Sequence, residues 1–125
     1  MISPVEKINK IIHNKNIYAF DIYKDKLLIG FALFRKHEDE LRDNRSTYFL
    51  WDYAIDLKYQ NRGFGTEALK ELLVFMKEKY DAGCFTTTYI WGNEQAKRVY
   101  EKGGFIESDA VDEDGIHKVN MLIEL

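Results

Sequence analysis

Residues 60–65 read QNRGFG and lie between an apolar stretch, YFLWDYAID (Tyr48–Asp56), and a run with helical periodicity, TEALKELLVFMKE (Thr66–Glu78). Two of the chain's eight glycines, Gly63 and Gly65, therefore stand at a helix entrance. In a strand, glycine turn and helix taken in that order, backbone N–H groups and the positive end of the helix dipole converge on an anion. Glycine lets a phosphate come close. The Gly-Lys-Ser/Thr ending of a P-loop is absent, and so is the third glycine of a dinucleotide fingerprint. Taken alone, Gly-x-Gly is equally a sharp strand-to-helix connection.

Working outward, Ala68, Leu69, Leu72, Leu73 and Met76 share one face of the helix, with Lys70, Glu71, Lys77 and Glu78 towards the other. Upstream, Ile17 to Tyr23 alternate, Lys24 to Lys26 read as a tight turn, and LLIGFALF is a largely buried strand, so a hairpin is expected. The polar run RKHEDELRDNRS is expected to be a solvated loop before a third strand, Thr47 to Ile55. Downstream, CFTTTYIW is a strand, Asn93 opens a second helix that Gly103-Gly104 stop, and two strands, Phe105–Val111 and Ile116–Leu125, flank the turn DEDG. At the front, Val5, Ile8, Ile11 and Ile12 follow Ser3-Pro4 at helical spacing, which predicts a short amphipathic helix to about His13. The whole, residues 1–125, reads as one mixed α/β (α+β) domain with helices on a largely antiparallel sheet.

Composition narrows the function. With 18 Lys+Arg against 21 Asp+Glu, the formal charge of −3 offers no broad footprint for nucleic acid or an anionic membrane, and cationic partners fit better. A single cysteine, Cys84, forms no internal disulfide, and MISPVEKINK lacks signal-peptide order, so a cytoplasmic location is expected. His13, His37 and His117 are scattered singly, and no metal site is expected.

AIDLKYQNRGFGTEAL resembles the acetyl-CoA-binding segment of the GNAT family of N-acetyltransferases, whose signature is Arg/Gln-x-x-Gly-x-Gly/Ala directly after a strand. Here it is Gln60-x-x-Gly63-x-Gly65. NEQAKRVYEKGGF (Asn93–Phe105) is similar to the family's later segment, in which an Asn opens a helix carrying Ala and Tyr before a Gly-Phe strand start. The resemblance spans about residues 17–125 and implies the GNAT fold with a shortened N-terminal region. It implies acetyl-CoA as co-substrate, with the backbone of Ile55 and Leu57 along the pantetheine arm and Gln60, Asn61, Arg62, Gly63, Phe64, Gly65 and Thr66 around the pyrophosphate. Asn93 is implied at the arm too, besides serving as a helix cap.

Acetyl transfer from a thioester to an amine needs a positioned neutral amine, a stabilised oxyanion and a proton for the departing thiolate. It needs no metal or covalent nucleophile. The resemblance makes Tyr100 the proton donor, although packing alone also accounts for a tyrosine sharing a helix face with Ala96 and Val99. It assigns polarisation of the acetyl oxygen to the Ile55 N–H. Period-two alternation sets Asp52, Ala54 and Asp56 on one side of their strand, and a carboxylate in so apolar a strand needs a reason. Asp52 is either exposed or paired, or it attracts a cationic amine and helps deprotonate it. The two segments look particularly like polyamine- and small-amine-acetylating members, so a polyamine or other small primary amine is the expected acceptor. The same donor site would also serve an aminoglycoside-like or protein amine, or a module that holds coenzyme A without turnover. Because the front wall of the acceptor pocket is expected to be short, a homodimer that covers it is expected.

Overall fold

The computed structural model describes residues 2–4, 16–42 and 44–124. Strand β1 (Ile2–Pro4) pairs antiparallel with β2 (Ile17–Lys24), setting Ser3 opposite Asp21. A strand thus stands where the sequence suggested the start of a helix, and the rest of that expected helix, from Val5 to His13, lies outside the described residues. Strand β2 turns into β3 (Leu27–Arg42) through Asp25 and Lys26, both at positive φ, which suits a two-residue hairpin turn.

Strand β3 corrects one expectation. The charged run is not a loop: pairing with β4 (Arg45–Ile55) continues through His37↔Thr47 and, after an irregularity, through Leu41↔Ser46 and Arg42↔Arg45. The backbone ladder carries this arm, and a ladder leaves no mark in residue polarity.

After β4 come a 3₁₀ turn (Leu57–Tyr59), helix α1 (Phe64–Tyr80), β5 (Ala82–Ile90), helix α2 (Glu94–Gly103), and the closing pair β6 (Ile106–Glu113) and β7 (Ile116–Glu124). Among the described residues the sheet has seven strands in the order β1-β2-β3-β4-β5-β7-β6, of which only β4 and β5 pair in parallel. The mixed, largely antiparallel sheet flanked by helices is the fold class expected from the sequence.

One face of the sheet packs on α1. Phe20, Ile22, Phe34, Tyr48, Leu50 and Phe85 meet Leu69, Leu72 and Met76, all at most 2% exposed. Phe20 stands edge-on to Phe34 and to Phe75 of α1, with centroids 6.1 and 5.6 Å away. Each such buried side chain stabilises the fold by about 1.5–3 kcal/mol. Helix α2 presses against α1 at Gly103, where a Cβ would lie 2.6 Å from Leu69 Cδ2. The next residue, Gly104, ends α2 in the left-handed conformation at φ +110.

A bulge in β4 sets up the site. Leu33 pairs with Asp52 but Phe34 pairs with Leu50, so Trp51 is the extra residue. Before it, Tyr48 and Leu50 point to the helices; after it, Tyr53 and Ile55 do. Asp52 and Ala54 consequently face the other way.

Candidate functional site

β4 and β5 pair only from Ser46↔Ala82 to Phe49↔Thr86. The last tie is the Thr87 hydroxyl, which donates to the Leu50 carbonyl at 3.1 Å. Beyond it β4 stays with β3, the Asp56 N–H bonding the Ile29 carbonyl at 2.6 Å, while β5 stays with β7 as far as Ile90↔Lys118. The two strands part, and a cleft of about 460 Å³ occupies the wedge below them.

The glycine turn forms one wall. Asn61 and Gly63 both adopt positive φ, +62 and +82, and Gly63 is the N-cap of α1 with no side-chain hydrogen bond. The first helical bond runs from the Glu67 N–H to the Gly63 carbonyl at 3.0 Å, so the N–H groups of Phe64, Gly65 and Thr66 precede the helix's own hydrogen bonding. A Cβ on Gly63 meets nothing within 4 Å, and one on Gly65 would fill the floor between Ile55 and Val99, 3.6 and 3.8 Å from their side chains. This is space and polarity suited to a phosphate group.

Gln60 holds the turn in place. Its Nε2 donates to the Ile55 carbonyl at 2.8 Å, and its Oε1 accepts from Gln95 Nε2 of α2 at 2.9 Å. One amide thus ties the end of β4, the turn and the second helix together. Tyr53 adds a second tie, donating to the Gly65 carbonyl at 2.6 Å.

Helix α2 is the opposite wall. Asn93 accepts from the Ala96 N–H at 3.1 Å, which leaves its amide NH₂ as a donor at the cleft rim. Tyr100 lies deep in the wedge, 9% exposed and edge-on to Phe105 at 5.8 Å. Burial pushes its phenol above the usual range; the Asp52 charge adds to the rise and the Thr87 hydroxyl opposes it. The group is therefore protonated at neutral pH, a store for one proton. Burial likewise raises Tyr53, with Tyr100 nearby contributing.

Of the residues singled out in the sequence, Ile55, Gln60, Asn61, Gly63, Gly65, Thr66, Asn93 and Tyr100 all line this cleft. Leu57, Arg62 and Phe64 do not: Leu57 is 81% exposed on the 3₁₀ turn, Arg62 is exposed, and the Phe64 ring lies under Lys24 Nζ at 5.3 Å. Asp52 is exposed on the far face of β4, yet its charge reaches Tyr100 across the gap between the strands. Sequence reasoning missed Tyr53, Gln95, Arg98 and Lys102. Arg98 and Lys102 follow Glu94 and Tyr100 on α2, and helical spacing from Gln95 was the signal that puts them at the cleft. Among the described residues no group of three His, Cys, Asp or Glu side chains is placed to hold a metal, and no helix is long and apolar enough to cross a membrane.

Residues 3–105 match the Acetyltransferase (GNAT) family. The chain belongs to that family. Over 95 residues it is 28% identical to the spermine/spermidine N(1)-acetyltransferase of Bacillus subtilis (strain 168), a match covering 75% of this chain and 62% of that protein. The chain thus spans less than two thirds of that relative's length. Among solved structures, a GNAT family acetyltransferase from Elizabethkingia anophelis with acetyl-CoA bound superposes with a TM-score of 0.76 at 16% identity, covering 100% of this chain and 97% of that one. Aminoglycoside acetyltransferase AAC(6')-Ib in complex with coenzyme A also gives 0.76, at 18% identity, over 92% of this chain and 70% of that one. At these identities the two structures bear on the fold.

Proposed function

We propose that this GNAT chain binds acetyl-CoA in the wedge between β4 and β5 and transfers its acetyl group directly to a primary amine, with a polyamine or similar small cationic amine as the acceptor. The observation that carries the reading is the pairing of two walls: an uncapped helix N-terminus in a glycine turn on one, and a buried protonated phenol on the other. The donor supplies an activated thioester. The Phe64, Gly65 and Thr66 N–H groups hold its pyrophosphate, with Gln60, Asn61 and Gly63 shaping the turn and Arg62 adding charge at its edge. The backbone of Ile55, with the Asn93 amide, guides the pantetheine arm, and Leu57, on the 3₁₀ turn outside the cleft, takes no part in it.

In this reading the Ile55 N–H polarises the acetyl oxygen, and Tyr100 passes its proton to the sulfur as the thiolate leaves. Asp52 draws a cationic amine to the far side of the same gap and, through water, takes up a proton so that the nitrogen attacks in its neutral form. The B. subtilis relative supports the choice of a polyamine; the likeness to the aminoglycoside enzyme is one of fold. Coenzyme A release from acetyl-CoA, followed across polyamines, aminoglycosides and peptides, tests the reading. Turnover with spermidine at a higher kcat/KM than with a simple monoamine is expected, and binding of coenzyme A without turnover on any amine would reduce the chain to a binding module. Asp52→Asn should raise KM and narrow the preference for the polyamine.

A further inference from the structure

The sheet face turned away from α1 and α2 carries a second cavity of about 570 Å³. Ala19 of β2, Phe31 and Leu33 of β3, and Ala54 of β4 contribute to its lining, and it meets the wedge at Ala54 and Ile55, which line both. Two carboxylates stand in an otherwise apolar wall. Asp56 is engaged, accepting the Lys58 N–H at 3.0 Å on Oδ1. Asp21 is half-buried on β2 and has no side-chain hydrogen bond or ion pair among the described residues.

Strand register relates Asp21 to Asp52. Asp21 lies opposite Phe31, Phe31 opposite Ala54, and Asp52 two residues earlier on β4, opposite Leu33. The bulge at Trp51 turns Asp52 to the same face. Two strand spacings across and two residues along put the Cα atoms about 11–12 Å apart. Phe31 and Leu33 lie between them. Arg35, further along that face of β3, forms no ion pair with either carboxylate among the described residues. Two carboxylates without an ion pair among the described residues, at the ends of an apolar floor, complement one chemistry: two cations joined by methylenes.

We infer that this face measures an α,ω-dicationic alkylamine: one amine at Asp52 for reaction beside Tyr100, the methylene chain over Phe31 and Leu33, and the second ammonium held by Asp21. The inference rests on the proposed acetyltransferase reading and adds the residue and the spacing that select the acceptor. An extended chain advances about 1.2 Å per bond. A three-carbon diamine, about 5 Å between its nitrogens, is too short to reach both carboxylates, whereas an eight-carbon diamine, about 11 Å, spans them.

The test compares 1,8-diaminooctane, 1,3-diaminopropane and octylamine as acceptors for the parent, Asp21→Asn and Asp21→Glu, each checked for an unchanged Tm. The parent should prefer 1,8-diaminooctane over octylamine by about tenfold or more in kcat/KM, the effect of one charge-assisted contact. Asp21→Asn should cut that ratio below about threefold through KM, with kcat and the octylamine rate unchanged. Asp21→Glu, which keeps the charge and lengthens its reach, should preserve the ratio and favour shorter diamines relative to the parent. An undiminished preference in Asp21→Asn overturns the inference while the acetyltransferase reading stands. If the parent releases no coenzyme A with any amine, that reading fails by itself, and calorimetric titration of 1,8-diaminooctane then decides: equal affinity for parent and Asp21→Asn overturns the inference, and weaker binding by the variant supports it.

Discussion

The two helices begin in opposite ways. At α2 the Asn93 side chain accepts the Ala96 N–H, so the protein satisfies its own helix end. At α1 the N-cap is Gly63, which has no side chain to offer, and the leading N–H groups face the cleft wall without a capping partner. Capping is available to any helix at the cost of one Ser, Thr, Asp or Asn. Its omission at α1 is informative because it coincides with the wedge: one helix end is closed by the protein's own side chain and the other is left open, and in the proposed reading the open end takes the ligand while the body of the capped helix supplies the proton.

That division of labour breaks first at Tyr100. Tyr100→Phe keeps the ring and its contact with Phe105, and kcat should fall about tenfold to a thousandfold with coenzyme A affinity nearly unchanged. Steady-state kinetics beside calorimetric titration read the two quantities separately, and a variant at full speed where chemistry limits the rate returns Tyr100 to a packing role. Gly63→Val attacks the uncapped end. A β-branched residue at φ +82 is strained, and its side chain enters the space over the turn, so coenzyme A should bind about tenfold or more weakly to folded protein. Unaltered affinity would remove the anion cradle.

Asn93→Ala sharpens the contrast from the other side. Losing a helix cap should cost about 1 kcal/mol of stability, seen as a lower denaturation midpoint, with a smaller loss of coenzyme A affinity than Gly63→Val. The smallest effect concerns pH. Tyr48, Tyr53, Tyr89 and Tyr100 ionise later in the folded chain than in the unfolded one, where a phenol titrates near 10; burial is the first cause in each, and Tyr48 and Tyr89 are pushed up to about 12. As pH rises past 10 the unfolded chain loses protons that the folded chain retains, so this stability is complete below pH 10 and is lost above it. Each phenol accounts for less than about 1 kcal/mol up to pH 10.5. Urea titrations between pH 9 and 10.5 should show a shallower fall for Tyr100→Phe than for the parent.

What the sequence made legible follows from locality. The glycine turn, the apolar stripe of α1, the Asn93 cap and the Gly103-Gly104 stop each depend on residues within a few positions of one another, and each was readable. The arm of β3 was not, because its strand state depends on pairing with β4 rather than on alternation. The Trp51 bulge was also hidden: nothing in FLWDYAI distinguishes an extra residue from an ordinary one, although the order after it, with Asp52 and Ala54 on one side, is the alternation read from the sequence. Gln95 and Tyr53 escaped because their contribution is a contact, with Gln60 and with the Gly65 carbonyl, that no spacing rule announces.

The bulge at Trp51 also sets how β4 should respond to systematic substitution. Up to Leu50 the even-numbered positions Tyr48 and Leu50 should resist polar replacement; beyond Trp51 that intolerance should pass to the odd-numbered Tyr53 and Ile55. A scan of the strand would therefore show its sensitivity pattern change parity midway. Deleting Trp51 should erase the change of parity without turning any side chain over: Leu50, opposite Phe34, and Asp52, opposite Leu33, would become consecutive, and inner and outer positions would alternate unbroken along the whole strand.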